Sequence, residues 1–235
     1  MPYGYYYRMF DPTYILVLIG VIISLWASAK VKTTYAKYSR VRSMSGMTGA
    51  QAAERILYSA GIYDVRIEHV RGDLTDHYDP RNRVLRLSDT VYGSTSVAAI
   101  GVAAHECGHA VQDQKDYAPL RIRNSLVPVA NFGTMAAWPI LIVGLIFGYN
   151  STLIHLGILL FSLGVLFQLV TLPVEFDASR RAIEMLGSQG ILYGDEVGQT
   201  RKVLSAAAMT YVAAAAAAIL SLLRLLILFG GRDRD

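Results

Sequence analysis

The chain has 235 residues, of which 53% are hydrophobic and 17% charged, with a net charge of +4 and a mean hydropathy of +0.36. The apolar excess is confined to four blocks, 13–29, 127–148, 152–173 and 206–229, which hold 85 residues and one charge, Arg224; the other 150 residues carry 39 of the 40 charged side chains. Such segments have the length of membrane spans, about 17–25 residues each, so a soluble globular chain and an intrinsically disordered one are both excluded.

The first block, TYILVLIGVIISLWASA, has Trp26 where an interfacial anchor would stand. A cleaved signal peptide is the alternative, but the segment before the block has only Arg8 and the positive cluster follows it, so the block reads as a retained span. Lys30, Lys32, Lys37, Arg40 and Arg42 crowd its exit, Arg121 and Arg123 precede the second block, and Arg180, Arg181, Arg201 and Lys202 lie between the third and fourth. The opposite side has Arg8, the uncharged turn Tyr149, Asn150 and Ser151, and a tail in which Asp233 and Asp235 balance Arg232 and Arg234. By the positive-inside rule the long polar segments face the cytoplasm. The basic cluster reads as this topology signal, and no nucleic-acid partner is expected. The single cysteine, Cys107, excludes an internal disulfide.

Within the polar segments, 48–60 (TGAQAAERILYSA) is predicted to be an amphipathic helix capped by Thr48 and ended at Gly61. Val65, Ile67 and His69 alternate with Arg66 and Glu68 as a short strand, and the turn residues Asp79 to Asn82 lead to a second strand at 83–87. These two read as a hairpin. A helix with the sequence VAAIGVAAHECGHAVQDQ follows, capped by Ser94 or Ser96 and closed before Pro119. The chain is therefore expected to be mainly α. Residues 1–29 are the N-terminal segment and first span, 30–126 a cytoplasmic catalytic segment, 127–173 a transmembrane hairpin, 174–205 a cytoplasmic helix, and 206–235 the fourth span and tail. Arg224, near the end of the last block, is expected to snorkel toward the membrane surface.

The second of those helices carries His105-Glu106-Cys107-Gly108-His109. Histidines at i and i+4 share a helix face, so both imidazoles can reach one zinc ion, while Glu106 can touch a metal-bound water without ligating the metal. A shuffled chain of this composition shows the pattern about three times in a thousand. Small residues flank it (Ala103, Ala104, Gly108, Ala110), and Gly108 implies close approach by another backbone. Cys107 reads as a small core residue.

A catalytic zinc needs a third protein ligand. On the cytoplasmic side, downstream of the motif, the choices are Glu175, Asp177, Glu184 and Glu196. Glu175 follows the third span in LPVEFDASRRAIEML and shares a helix face with Ala178, Ser179 and Ala182, which suits packing against the HExxH helix. Asp177 and Glu184 point elsewhere and meet Arg180 and Arg181 at ion-pair spacing. Glu175 is favoured over Asp177 and Glu196 on facing geometry.

HECGH preceded by VAA and followed by AVQ, together with LPVEFDASRRA after a hydrophobic hairpin, resembles the bacterial YugP-like neutral zinc metallopeptidases over most of the chain, and more distantly the HtpX-type membrane proteases. The resemblance implies a membrane peptidase of gluzincin type with a small cytoplasmic α+β zincin-like domain, holding one zinc ion on His105, His109 and Glu175. In the HtpX-type pattern the glutamate opens an E-x-x-A-D stretch. Here Ser179 stands in place of the aspartate, leaving Ser179 or Asp177 as the partner of a zinc histidine. In such proteases the strand before the metal helix binds substrate by adding a strand, which here implies Arg83, Val84, Leu85, Arg86 and Leu87. Arg180, Tyr193, His69 and His77 are the candidate donors to the oxyanion.

The expected activity is that of a multi-pass zinc endopeptidase in the bacterial cytoplasmic membrane, with its site facing the cytoplasm, Glu106 as general base and acid, and polypeptides as substrates. A non-catalytic zinc protein is the alternative. Structural zinc sites use four protein ligands, commonly cysteines, and this chain has one cysteine. A metal transporter would carry ligands within its spans, where only His155 and Gln168 stand. A zinc site inside the bilayer is excluded because the apolar run around the motif, 97–111, is too short to span.

Overall fold

A computed structural model describes residues 11–230. Arg8 and the tail charges Arg232 to Asp235, which entered the orientation argument, lie outside them. In chain order the elements are α1 (Tyr14–Tyr38), α2 (Gly49–Ser59), β1 (Arg66–Val70), β2 (His77–Asp79), β3 (Val84–Ser88), α3 (Val97–Gln114), α4 (Ala118–Ile146), α5 (Ser151–Ser188) and α6 (Asp195–Phe229).

The four apolar blocks lie in α1, α4, α5 and α6, each long and apolar enough to cross a membrane. Only 11–28% of their most apolar stretches is buried within the protein, so their surfaces require a lipid solvent. Every one of these helices continues beyond its block into polar sequence: α1 runs on to Tyr38, α4 begins at Ala118, α5 reaches Ser188 and α6 starts at Asp195.

The chain divides into two compact units. The first takes 11–26, Arg123–Val170 and 211–230 of the described residues. In it, α4 and α5 pack through small residues. A Cβ on Gly157 would meet Leu141 at 2.6 Å, so the seam admits no side chain there. Arg224 forms an ion pair with Asp11 at 3.0 Å and lies over the Tyr14 ring at 4.0 Å. A charge in apolar surroundings is costly unless paired, and the pair resolves that cost.

The second unit comprises Ala27–Ile122 and Thr171–Thr210. Helix α2 begins with a reciprocal capping box between Thr48 and Gln51, and Gly61 beyond its end adopts φ +73°. Its buried face (Ala52, Ala53, Ile56, Leu57) packs with Leu85 and Leu87 of β3, with Ile100, Ala103, Ala104 and Cys107 of α3, and with Leu186 of α5 in one core. Ser96 caps α3, its hydroxyl accepting from the Ala99 N–H at 3.1 Å.

The sheet has the order β1-β3-β2. β1 runs parallel to β3, from Arg66 opposite Val84 to Val70 opposite Ser88, and β2 runs antiparallel, with Tyr78 opposite Leu85. The expected hairpin between the first strand and 83–87 is therefore corrected. The hairpin joins β2 to β3, and its turn is held by the Asp79 carboxylate, which accepts from the Arg81 and Asn82 N–H groups, with Arg83 at φ +51°. β2 escaped the pattern reading because His77-Tyr78-Asp79 is too short to show alternation. β3 is the central strand, hydrogen-bonded on both sides. Residues 83–87 consequently offer no free edge, and the expectation that they add a substrate strand does not hold. Arg83 instead pairs with Asp64 and Asp113, and Arg86 with Glu68 and Asp79.

Removing the α3 cap tests this local structure: Ser96→Ala should destabilise the chain by about 1 kcal/mol. A thermal unfolding midpoint equal to that of the unaltered protein in the same detergent would count against the cap.

Candidate metal centre

Helix α3 presents His105 and His109 on one face, with ring centroids 4.8 Å apart and ring planes nearly perpendicular at 84°. Helix α5 supplies Glu175, whose Oε2 lies 3.2 Å from His105 Nε2 and 3.7 Å from His109 Nε2. One ligand atom from each of the three lies within 4.8 Å of the others. The Glu175 side chain is only 4% exposed, and a carboxylate so buried needs countercharge or a metal. Two imidazole nitrogens and a carboxylate oxygen converging in this way form a donor set that fits zinc.

The convergence depends on a close helix contact. A Cβ on Gly108 would lie 2.6 Å from the Ala178 carbonyl oxygen, so α3 and α5 meet backbone to backbone at that point. Ala178 and Ala182 are fully buried there. The inference of close approach from Gly108 holds, and so does the small-residue face of Glu175.

Around the three side chains lies a polar layer. The Ser179 hydroxyl is 3.1 Å from His105 Nδ1. Gln112, fully buried, places Oε1 3.0 Å from His109 Nδ1, while its Nε2 donates to the Val174 carbonyl at 2.8 Å and to the Asp177 carboxylate at 3.0 Å. Asp177 also receives Arg180 and Arg181. The expected ion pairs of Asp177 are present, but with 11% side-chain exposure it is no ordinary surface residue: through Gln112 it touches the layer behind His109. Burial by itself would lower the pKa of His109. The nearby carboxylates of Glu175 and Glu106 outweigh that effect, so His109 holds a proton more tightly than an ordinary histidine.

Glu106 is buried, and its Oε2 accepts the backbone N–H of Tyr78 at 3.0 Å. That N–H points away from β3, so the outer edge of β2 lies against Glu106. Asp76, just before β2, accepts from the Ser88 N–H and hydroxyl at 2.8 and 2.9 Å; burial raises its pKa despite those bonds, and the charge of Glu106 adds to the rise. The Cys107 thiol faces the Ala53 carbonyl in the core, and burial pushes its pKa up, which suits neither ligation nor nucleophilic attack.

The remaining candidates lie elsewhere. Glu196 is buried with its carboxylate on the Met44 and Tyr193 N–H groups. Glu184 pairs with Arg180, and Arg180 is committed to that residue and to Asp177. The Tyr193 hydroxyl packs over Gly190, His69 pairs with Asp89 at 2.7 Å, and His77 bonds the Thr75 carbonyl. Sequence reasoning missed Gln112, Tyr78 and Asp76. The signal for Gln112 was its place one turn beyond His109; nothing in the pattern marked Tyr78 or Asp76.

Residues 13–230 match the family model described as "Putative neutral zinc metallopeptidase". The chain is 49% identical over 221 residues to the "Putative membrane protease YugP" of Bacillus subtilis (strain 168), an alignment covering 94% of this chain and 98% of that protein. No solved structure matches the chain.

Two measurements follow from this geometry. Gly108→Ala should weaken zinc affinity more than tenfold and destabilise the fold by about 1–3 kcal/mol, since the added methyl has to displace backbone. Gly187→Ala, whose Cβ meets nothing within 4 Å, should change neither affinity nor folding adversely. The second concerns pH. Because His109 has a raised pKa, the protonated histidine stabilises the metal-free protein below the ordinary histidine pKa, and that contribution is lost as pH rises through the raised value. Zinc has to displace that proton, so its apparent affinity should fall with falling pH by roughly tenfold per unit for each proton released. Competition with a chelator across pH 5–8, the range about histidine's ordinary pKa, reads this directly.

Proposed function

From the premise that the chain belongs to the neutral zinc metallopeptidase family and is a membrane protein, we propose that it is a zinc endopeptidase of gluzincin type, with one zinc ion on His105, His109 and Glu175 and with Glu106 as general base and acid. The observation that carries this reading is the meeting of three ligand atoms from α3 and α5 beside a buried glutamate. Three protein ligands, with Cys107 turned into the core, suit a catalytic rather than a structural site.

Bound there, zinc supplies Lewis acidity that acidifies a water molecule and polarises the scissile carbonyl. Glu106 takes the proton from the attacking water and returns it to the leaving amine. Its carboxylate is held in place by the Tyr78 N–H at 3.0 Å. Ser179 stands against His105 Nδ1 in the position where related proteases carry an aspartate, and it serves as the orienting partner of that ring.

The substrate strand is reassigned from 83–87 to β2. β2 is an edge of the sheet, and its outward-facing backbone borders Glu106. An extended polypeptide pairing along that edge brings a peptide bond to the site by main-chain hydrogen bonds, with little demand on side-chain identity. The lysines and arginines bordering the apolar blocks support a cytoplasmic placement of the site in the cell membrane of a bacterium.

The purified full chain in lipid discs, presented with an unfolded polypeptide, tests the reading. Glu106→Gln should slow hydrolysis by about 10²–10⁴-fold while zinc content stays at one per chain. His105→Ala should lose both the metal and the activity. Undiminished hydrolysis by Glu106→Gln protein would overturn the assigned chemistry.

A further inference from the structure

The amide of Gln112 is fully buried, and its hydrogen-bonding partners dictate its orientation. The Val174 carbonyl can only accept, and so can the Asp177 carboxylate, which two arginines keep ionised. Both Nε2 hydrogens are therefore engaged, and turning the amide over would set its oxygen against two other acceptors. Oε1 is left facing His109 Nδ1 at 3.0 Å. An amide oxygen has no hydrogen to give, so Nδ1 must carry the proton. A neutral imidazole protonated at Nδ1 has its lone pair on Nε2, the nitrogen that lies toward Glu175.

We infer that Gln112 is a positioning residue that selects the tautomer of His109 and holds its ring plane for the metal, with Asp177 and Arg181 fixing the amide from behind. This rests on the reading of His109 as a zinc ligand. The two histidines are treated differently. The Ser179 hydroxyl facing His105 can donate or accept, so it leaves the tautomer of that ring free to follow the metal, whereas the amide facing His109 allows one tautomer alone. An amide also orients the ring without adding a negative charge next to Glu175 and Glu106. The arrangement joins α3 to α5 through a single side chain, so the ring that binds metal and the helix that carries Glu175 are held by the same group.

The test uses the full chain in detergent and two substitutions of similar size. Gln112→Met removes the acceptor, and Gln112→Glu retains an oxygen toward Nδ1 in either protonation state. Zinc dissociation constants from chelator competition should weaken about 10–100-fold for Gln112→Met and less for Gln112→Glu, which keeps the oxygen toward Nδ1 but can donate to at most one of the two acceptors behind it. The visible spectrum of the cobalt-substituted protein should change for Gln112→Met and change less for Gln112→Glu. A Gln112→Met protein with unchanged zinc affinity and cobalt spectrum overturns the positioning role. If Gln112→Met does not elute as the folded protein, the imidazole nitrogen-15 shifts of His109 in the unaltered zinc-loaded chain decide: a protonated Nδ1 supports the role, and a protonated Nε2 overturns it. His109→Ala separates the premise from the inference, since unchanged zinc affinity there removes the ligand reading itself.

Discussion

The site depends on how closely two helix backbones approach. Gly108 of α3 lies against the Ala178 carbonyl of α5 with no room for a methyl group between them. A larger residue at either position separates the helices, and Glu175 then loses its reach to two histidines carried by another part of the chain. Separation also draws a buried carboxylate away from the imidazoles that face it at 3.2 and 3.7 Å. Packing of small residues and burial of a charge thus act on the same contact: the first permits the approach, and the second makes any retreat costly.

The polar layer extends that constraint outward. Ser179 and Gln112 each touch the outer nitrogen of one histidine; the Ser179 contact crosses between α5 and α3, and Gln112 crosses to α5 through its Nε2 on Val174 and Asp177. Glu106 is held from a different direction, by the backbone of an edge strand, so it and the cluster of His105, His109 and Glu175 have separate supports. The sheet contributes an edge rather than a core. β3 lies between its two neighbours, while β2 runs past Glu106 with no strand on its outer side among the described residues.

The membrane-length helices obey a different solvent. Their apolar surfaces remain largely uncovered within the protein, which is stable only where lipid replaces water. The one charge among the four apolar blocks, Arg224, is matched to Asp11 at the start of α1 and stacked on Tyr14, so it closes a link between the first and last helices of that unit. Proline at 128 and 139 sits inside α4 without ending it, as spanning helices commonly allow.

Local signals in the amino-acid sequence were enough for much of this. Composition alone located the four helices long and apolar enough to cross a membrane, because runs of about twenty apolar residues stand out against the polar remainder. Helical periodicity placed His105 and His109 on one face and paired Glu175 with Ala178 and Ala182, since those relations depend only on 3.6 residues per turn. Capping chemistry at Thr48 and Ser96 was equally local. What only the tertiary structure decided was every relation between segments far apart in the chain. The parallel pairing of β1 with β3, the insertion of the three-residue β2, the hold of Tyr78 on Glu106 and the passage of Gln112 from His109 to Asp177 have no periodic signature. Each arises because a buried polar group has to find a partner, and the partner is selected by packing, which short-range spacing does not encode.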